Sequence, residues 1–287
     1  MSFHQEPAVY ADLVSLNVKN LKNSIEFYTK VIGFKVVNET EQEANLSADG
    51  KTTILQLRKA DHDRTNNRYT GLYHLALLLP SREDLALITM HLASNRVPLG
   101  SADHHVSEAL YLEDIDGNGI EIYVDRDADK WIWNGSNVHM VTERLDAEDL
   151  LKDQPDPKDF TGLPADTIMG HVHLHVNNIE EAEKFYIDGL GFQVVSKFSD
   201  QALFMSTESY HHHVAANVWN GTSASSPKDG TVGLNYYRLV FPNKEILDQT
   251  VLRLNELSYE TKDMGAYIEV IDPAGNHIHL VSQNAQN

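Results

Sequence analysis

The chain has 287 residues, 41% of them hydrophobic, and no cysteine, which excludes disulfides, thiolate nucleophiles and cysteine-ligated zinc or iron–sulfur sites. Its 23 Lys and Arg stand against 42 Asp and Glu, a formal charge of -19, so nucleic acid and anionic membrane surfaces would be repelled and a small neutral molecule is the expected partner. No basic run leads into an apolar stretch at the start and no run of about 18 apolar residues occurs, so neither a signal peptide nor a membrane span is expected, and the cytoplasm is the expected compartment.

Alternating apolar residues over 11–18 predict a strand, and Leu21, Ile25, Tyr28 and Ile32 then recur at helical spacing until Gly33. Short β-rich runs follow at 34–37, 44–48 and 52–57, with Asp49-Gly50 as a turn signal, giving the order βαβββ. A second unit of the same order opens at 73–79, continues through a helix over 82–94 and closes with strands at 109–112 and 120–124 around Asp116-Gly-Asn-Gly119. Residues 126–166 are polar, carry Pro155, Pro157 and Pro164, and include an amphipathic stretch near 147–151, which reads as linker and surface helix. A third unit spans about 168–219 and a fourth about 233–281, while 223–230 reads as an exposed loop. The expected division is therefore 8–126 with modules one and two, a linker with a short helix at 127–166, and 167–284 with modules three and four.

The halves are copies. Val18-Lys-Asn-Leu-Lys-Asn-Ser-Ile-Glu-Phe-Tyr-Thr-Lys-Val-Ile-Gly-Phe34 returns as Val176-Asn-Asn-Ile-Glu-Glu-Ala-Glu-Lys-Phe-Tyr-Ile-Asp-Gly-Leu-Gly-Phe192, and Gly117-Asn-Gly-Ile-Glu121 returns as Gly275-Asn-His-Ile-His279. The polar residues differ: Leu13 becomes His171, His74 becomes Tyr236, and Glu121 becomes His279. A duplicated scaffold with unduplicated polar residues marks a site.

Four βαβββ modules, two Phe-Tyr…Gly-Phe helices and a Gly-Asn-X-X-Glu strand resemble the vicinal oxygen chelate superfamily of glyoxalases, bleomycin and fosfomycin resistance proteins and extradiol dioxygenases, over nearly the whole chain. The resemblance is strongest to its bacterial catechol 2,3-dioxygenase branch. It implies an α+β fold in which the four modules form two paired-module cups, with metal ligands on the first and last strands of the modules that pair. At those positions module one offers Leu13 and Gln56, module two His74 and Glu121, module three His171 and the run His211-His-His213, and module four Tyr236 and His279. If modules two and three share a cup, His74, Glu121 and His171 form the two-histidine, one-carboxylate triad of an Fe(II) centre with positions open for a small aromatic diol and O₂. Mn, Ni or Zn are the alternative metals. Pairing one with two and three with four would instead separate these residues.

His171-Val-His-Leu-His175 alternates three imidazoles onto one face, leaving His173 and His175 as rivals; the family pattern, in which the ligand follows a glycine such as Gly170, points to His171. The resemblance further implies an acid–base histidine, mapping to His212 with His213 as rival. It also implies that His104 hydrogen-bonds substrate or an oxygen intermediate and that Tyr111 donates its phenol to a metal-bound hydroxyl, from the signature His104-His-Val-Ser-Glu-Ala-Leu-Tyr111-Leu-Glu-Asp-Ile-Asp-Gly-Asn-Gly-Ile-Glu121, in which Ile115 replaces the usual proline. His279 reads as a remnant or structural residue. The expected activity is extradiol cleavage of catechol or a simple substituted catechol in aromatic hydrocarbon catabolism, in a chain compatible with homo-oligomers. The alternatives are a glyoxalase-like lyase or isomerase, which needs a fourth protein ligand, and a metal-free drug-sequestering protein.

Overall fold

The structure, a computed structural model, describes residues 3–65, 68–152 and 156–283; Pro155 of the expected linker lies outside them. Module one comprises β1 (Tyr10–Val18), α1 (Leu21–Phe27), β2 (Lys35–Glu39), β3 (Glu43–Ser47) and β4 (Leu55–Lys59). Module two comprises β5 (Gly71–Leu78), α2 (Arg82–Ser94), β6 (Gly100–Asp103), β7 (Ser107–Glu113) and β8 (Gly119–Asp125). A connector carries the short hairpin β9 (Trp133–Asn134) and β10 (Asn137–Val138) and the single turn α3 (Ala147–Leu150). Module three follows with β11 (Ile168–His175), α4 (Ile179–Glu183), β12 (Gln193–Phe198), β13 (Ala202–Ser206) and β14 (Val214–Asn217). Module four has β15 (Gly233–Phe241), α5 (Lys244–Glu256), β16 (Thr261–Asp263), β17 (Ile268–Ile271) and β18 (His277–Ser282).

Local chemistry sets the element ends. Asn20 and Asn178 cap α1 and α4, their side chains accepting from the N–H groups of Asn23 and Glu181. Where the sequence predicts a continuous helix to Gly33, the last turn widens to a π turn at Tyr28–Ile32, mirrored at Lys184–Gly189. The Tyr28 carbonyl accepts from both Gly33 (3.0 Å) and Phe34 (2.9 Å), and Gly33 closes the turn at φ 98°. A Cβ there would lie 2.8 Å from Gly162 Cα, so glycine is required twice over. Strand β4 starts later than the run 52–57 predicts, because Asp49 Oδ1 accepts from the N–H groups of Lys51 and Thr52 (2.7 Å each) and holds them in the turn. The 223–230 loop is largely exposed as expected, with Ala224 buried.

The modules assemble into two eight-stranded sheets, ordered β16-β17-β18-β15-β1-β4-β3-β2 and β12-β13-β14-β11-β5-β8-β7-β6. In every module the first strand pairs parallel with the last, and the first strands of two modules meet antiparallel at the sheet centre. Module one thus shares a sheet with module four, and module two with module three. Apolar residues such as Leu16, Leu46, Leu75, Val172, Leu174 and Leu280 belong to one buried cluster that joins the sheets.

The repeated motifs act as clasps between modules. Tyr28 donates its hydroxyl to Asp114 Oδ2 (2.9 Å), and Tyr186 donates to Asp272 Oδ2 (3.0 Å). Each aspartate also holds its own turn, Asp114 accepting from the N–H of Asp116 and Asn118, and Asp272 from Ala274 and Asn276. Pro273 stands in one turn and the exposed Ile115 in the other, yet these bonds are the same, so the departure from the family signature leaves the turn intact.

Candidate metal centre

The β5/β11 seam builds the site. His171 faces Ala76 across the seam, Ala76 faces Glu121 across the parallel β5/β8 pair, and His74 lies two residues along β5 on the same face as Ala76. The small Ala76 side chain leaves the space into which the three longer ones converge. A register shift between Met169 and His171 sets this alignment. Gly170 permits it, because a Cβ there would fall 2.0 Å from the Tyr123 hydroxyl.

All three side chains are buried. His74 Nε2 lies 3.0 Å and His171 Nε2 3.1 Å from Glu121 Oε2, and the two Nε2 atoms are 3.3 Å apart. Burial alone would raise the Glu121 carboxyl; the His171 and His74 imidazoles overcome it and hold the group well below the usual carboxylate range. Burial outweighs Glu121 at His171 and brings its imidazole down to about 4, so at neutral pH the ring is uncharged and owns a lone pair.

The donor set fits a divalent cation. Glu121 can accept an N–H from each ring, but the 3.3 Å contact then sets two N–H groups against one another. His171 Nδ1 is moreover buried with no hydrogen-bond partner, so the cluster is not a self-satisfied network. A cation at the centre would use all three lone pairs. Three ligand atoms at right angles, each about 2.1 Å from one ion, stand about 3.0 Å apart, close to the separations found. Among the described residues these are grouped as His74, Glu121 and His171, all buried.

The alternatives left open along β11 separate. His173 Nε2 accepts from the Asn217 side chain (2.9 Å), and His175 Nδ1 contacts Asn217 Oδ1 (2.8 Å), so both turn to β14 rather than to the cluster. Of the triple histidine, His212 packs its ring, tilted by 49°, with its centroid 4.0 Å from that of His171, whereas His213 faces away, its Nε2 donating to the Phe3 carbonyl (2.8 Å). Burial and then His171 push the His212 imidazole well below its ordinary value.

His104 Nδ1 donates to the Val141 carbonyl (2.6 Å), which leaves Nε2 to accept the Tyr111 hydroxyl (2.6 Å). Tyr111 lies opposite Glu121 in the β7/β8 register, and burial followed by Glu121 raises its phenol well above the usual value. A cavity of about 1090 Å³ is lined by His74, Tyr111, Tyr73 and His175 on this sheet and by Tyr236 and His279 of the other. There His279 is stacked between Tyr236 and Tyr267 at 3.7 Å each, a structural sandwich.

The sequence reading passed over Asp125, Tyr123 and Tyr73. Asp125 accepts from His211 Nε2 at 2.8 Å, and Tyr123 contacts Tyr210 at 2.7 Å through their hydroxyls. The signal was the alternation Glu121, Tyr123, Asp125, which puts a second carboxylate on the face that carries the first. Tyr73, half-exposed at the cavity, gave no signal beyond being next to His74.

Comparison with known proteins agrees with this architecture. The model of the Glyoxalase/Bleomycin resistance protein/Dioxygenase superfamily matches residues 10–122 and 168–280. A catechol-2,3-dioxygenase of Bacillus subtilis (strain 168) is 39% identical over 285 residues, covering 98% of this chain and 99% of that protein. Among solved structures, one of a Bacillus subtilis protein superposes with a TM-score of 0.63 at 11% identity, covering 95% of this chain and 84% of that one. Glyoxalase I from Zea mays superposes with a TM-score of 0.59 at 15% identity, covering 96% and 93%. On its duplicated βαβββ modules and these matches, the chain belongs to the glyoxalase/bleomycin resistance protein/dioxygenase superfamily.

Proposed function

We propose that this chain is an Fe(II)-dependent extradiol dioxygenase that cleaves catechol or a simple substituted catechol. The observation that carries the reading is the convergence of His74, Glu121 and His171 from two modules on one point. The 39% identity to a catechol-2,3-dioxygenase supports the choice of reaction. When bound, Fe(II) would supply a single centre on which the diol and O₂ meet.

The chain's own residues provide the rest. His212, uncharged at neutral pH, takes a proton from a catechol hydroxyl and later returns one. Tyr111 faces the substrate with a phenol that stays protonated, and His104 fixes its direction from behind. Tyr73 and His175 form aromatic wall beside them. Both atoms of O₂ end in the ring-opened product.

The fourth-ligand position of a lyase centre is a methyl group. The pseudo-twofold that exchanges His74 and His171 across the seam carries Ala76 to His173 and Glu121 to Ala215, the β14 partner of His173. Three protein ligands with open positions suit dioxygen chemistry better than four-ligand carbonyl polarisation. Anaerobic loading with Fe(II), followed by catechol and air, should yield the yellow ring-opened semialdehyde. Turnover of a hemithioacetal with Ni(II), and none of catechol with Fe(II), would refute the reading.

A further inference from the structure

Behind His212 lies a chain of hydrogen bonds that the triad does not require. His212 Nδ1 contacts His211 Nδ1 at 2.8 Å, and His211 Nε2 contacts Asp125 Oδ1 at 2.8 Å. The same Asp125 oxygen also accepts the Tyr210 hydroxyl (3.3 Å). His211 is 1% and His212 8% exposed, so the bond between the two rings is shielded from competing water, while the Asp125 carboxylate at its far end is partly exposed.

With a single proton on the His211 ring, the hydrogen bonds fix both tautomers. An ionised carboxylate only accepts, so His211 Nε2 must carry hydrogen. A neutral His211 then has a bare Nδ1, and the 2.8 Å contact needs a donor, which is His212 Nδ1–H. His212 Nε2 is in consequence bare. We propose that Asp125 is a positioning residue that, acting through His211, holds His212 in the Nδ1–H tautomer and so presents a bare Nε2 to the substrate. The logic is that of any carboxylate–histidine pair in which the second nitrogen's bond sets the state of the first, here lengthened by one imidazole. The proposal rests on the reading of His212 as the proton acceptor, but the tautomer itself does not.

The lining of the relay is consistent with this direction. Tyr123, Trp131 and Tyr210 surround His211, with ring centroids 5.9, 5.3 and 4.0 Å away, and the His171 and His212 rings complete the shell at 6.1 and 4.7 Å. Asp125 is the carboxylate that accepts from this ring. A second proton on His211 would reverse the polarity of the relay and turn His212 to Nε2–H, which gives the proposal a clear opposite.

The test is ¹⁵N–¹H correlation NMR of the full, metal-free chain with ¹⁵N-labelled histidine at neutral pH. The expected wild-type pattern is His211 as Nε2–H and His212 as Nδ1–H. Asp125→Ala should release His212 toward Nε2–H, while Tyr210→Phe, which removes the other contact to Asp125, should leave the pattern unchanged. In the Fe(II)-loaded enzyme Asp125→Ala should lower kcat about 10–100-fold with KM unchanged. Wild-type His212 found as Nε2–H overturns the proposal without any variant having to fold, as does an Asp125→Ala enzyme that keeps the wild-type tautomer or kcat. If the predicted tautomers are found in a protein that does not cleave catechol, the functional reading fails and the relay stands.

Discussion

Ala76 stands directly across from His171 on one side and from Glu121 on the other, so its single methyl group makes the space in which His74, Glu121 and His171 gather. It packs with Ala109 and Tyr123 and is fully buried. Ala76→Leu should therefore act as a wedge. It is expected to lower Fe(II) affinity at least about 10-fold and stability by about 1–3 kcal/mol, though every ligand remains. Equilibrium dialysis of iron and thermal melts check both.

Ala215 offers the converse experiment. Ala215→Glu places a carboxylate at the position that mirrors Glu121. The variant should bind Ni(II) or Zn(II) more tightly than the wild type and lose catechol turnover by about 100-fold or more, since a fourth ligand closes a position that substrate or O₂ needs. Competition titrations with a chromogenic chelator measure the first effect.

Acid should unfold the metal-free chain progressively. His171, His173, His212, His213 and His4 all have imidazoles lowered chiefly by burial, His171 to about 4. Their folded values lie below the unfolded value of about 6.5, so the unfolded state binds more protons and stability falls as pH drops from about 6.5. Glu121, depressed in the fold, adds loss in the same direction at lower pH. Each such proton contributes a slope of about 1.4 kcal/mol per pH unit. Denaturant titrations from pH 7 to 4.5 should show a steady decline, and a flat profile between pH 6.5 and 5 contradicts this account.

The clasp between modules three and four can be opened gently. Tyr186→Phe removes the donor to buried Asp272, which keeps its bonds from Ala274 and Asn276. The expected loss is about 1–3 kcal/mol, read from a shifted denaturation midpoint, with kcat and KM unchanged because neither Tyr186 nor Asp272 lines the cavity.

Much of this was legible in the residues. The βαβββ order followed from apolar alternation, and the uneven distribution of His74, Glu121 and His171 over the repeat favoured modules two and three sharing a sheet over sequential pairing, as they do. The choice among His171, His173 and His175 was not legible from alternation, because all share one face; the register shift before His171 and the pull of Asn217 on the other two decide it. The π turns escaped notice because their trigger is tertiary, the Tyr28 and Tyr186 bonds to distant aspartates. Strand β6 escaped because Gly100-Ser-Ala-Asp103 has no apolar alternation and is held at a sheet edge by β7. His213 was separable from His212 only once the segment at Phe3 was seen to dock behind it.

Anaerobic Fe(II) titration of the metal-free chain measures directly whether one metal centre is built across the repeat boundary. The prediction is one tightly bound Fe(II) per chain in the wild type, and loss of that site in each of His74→Ala, Glu121→Ala and His171→Ala while all three variants keep a cooperative melt. A wild-type chain that binds no Fe(II), or a folded His171→Ala chain that still binds one as tightly, contradicts it.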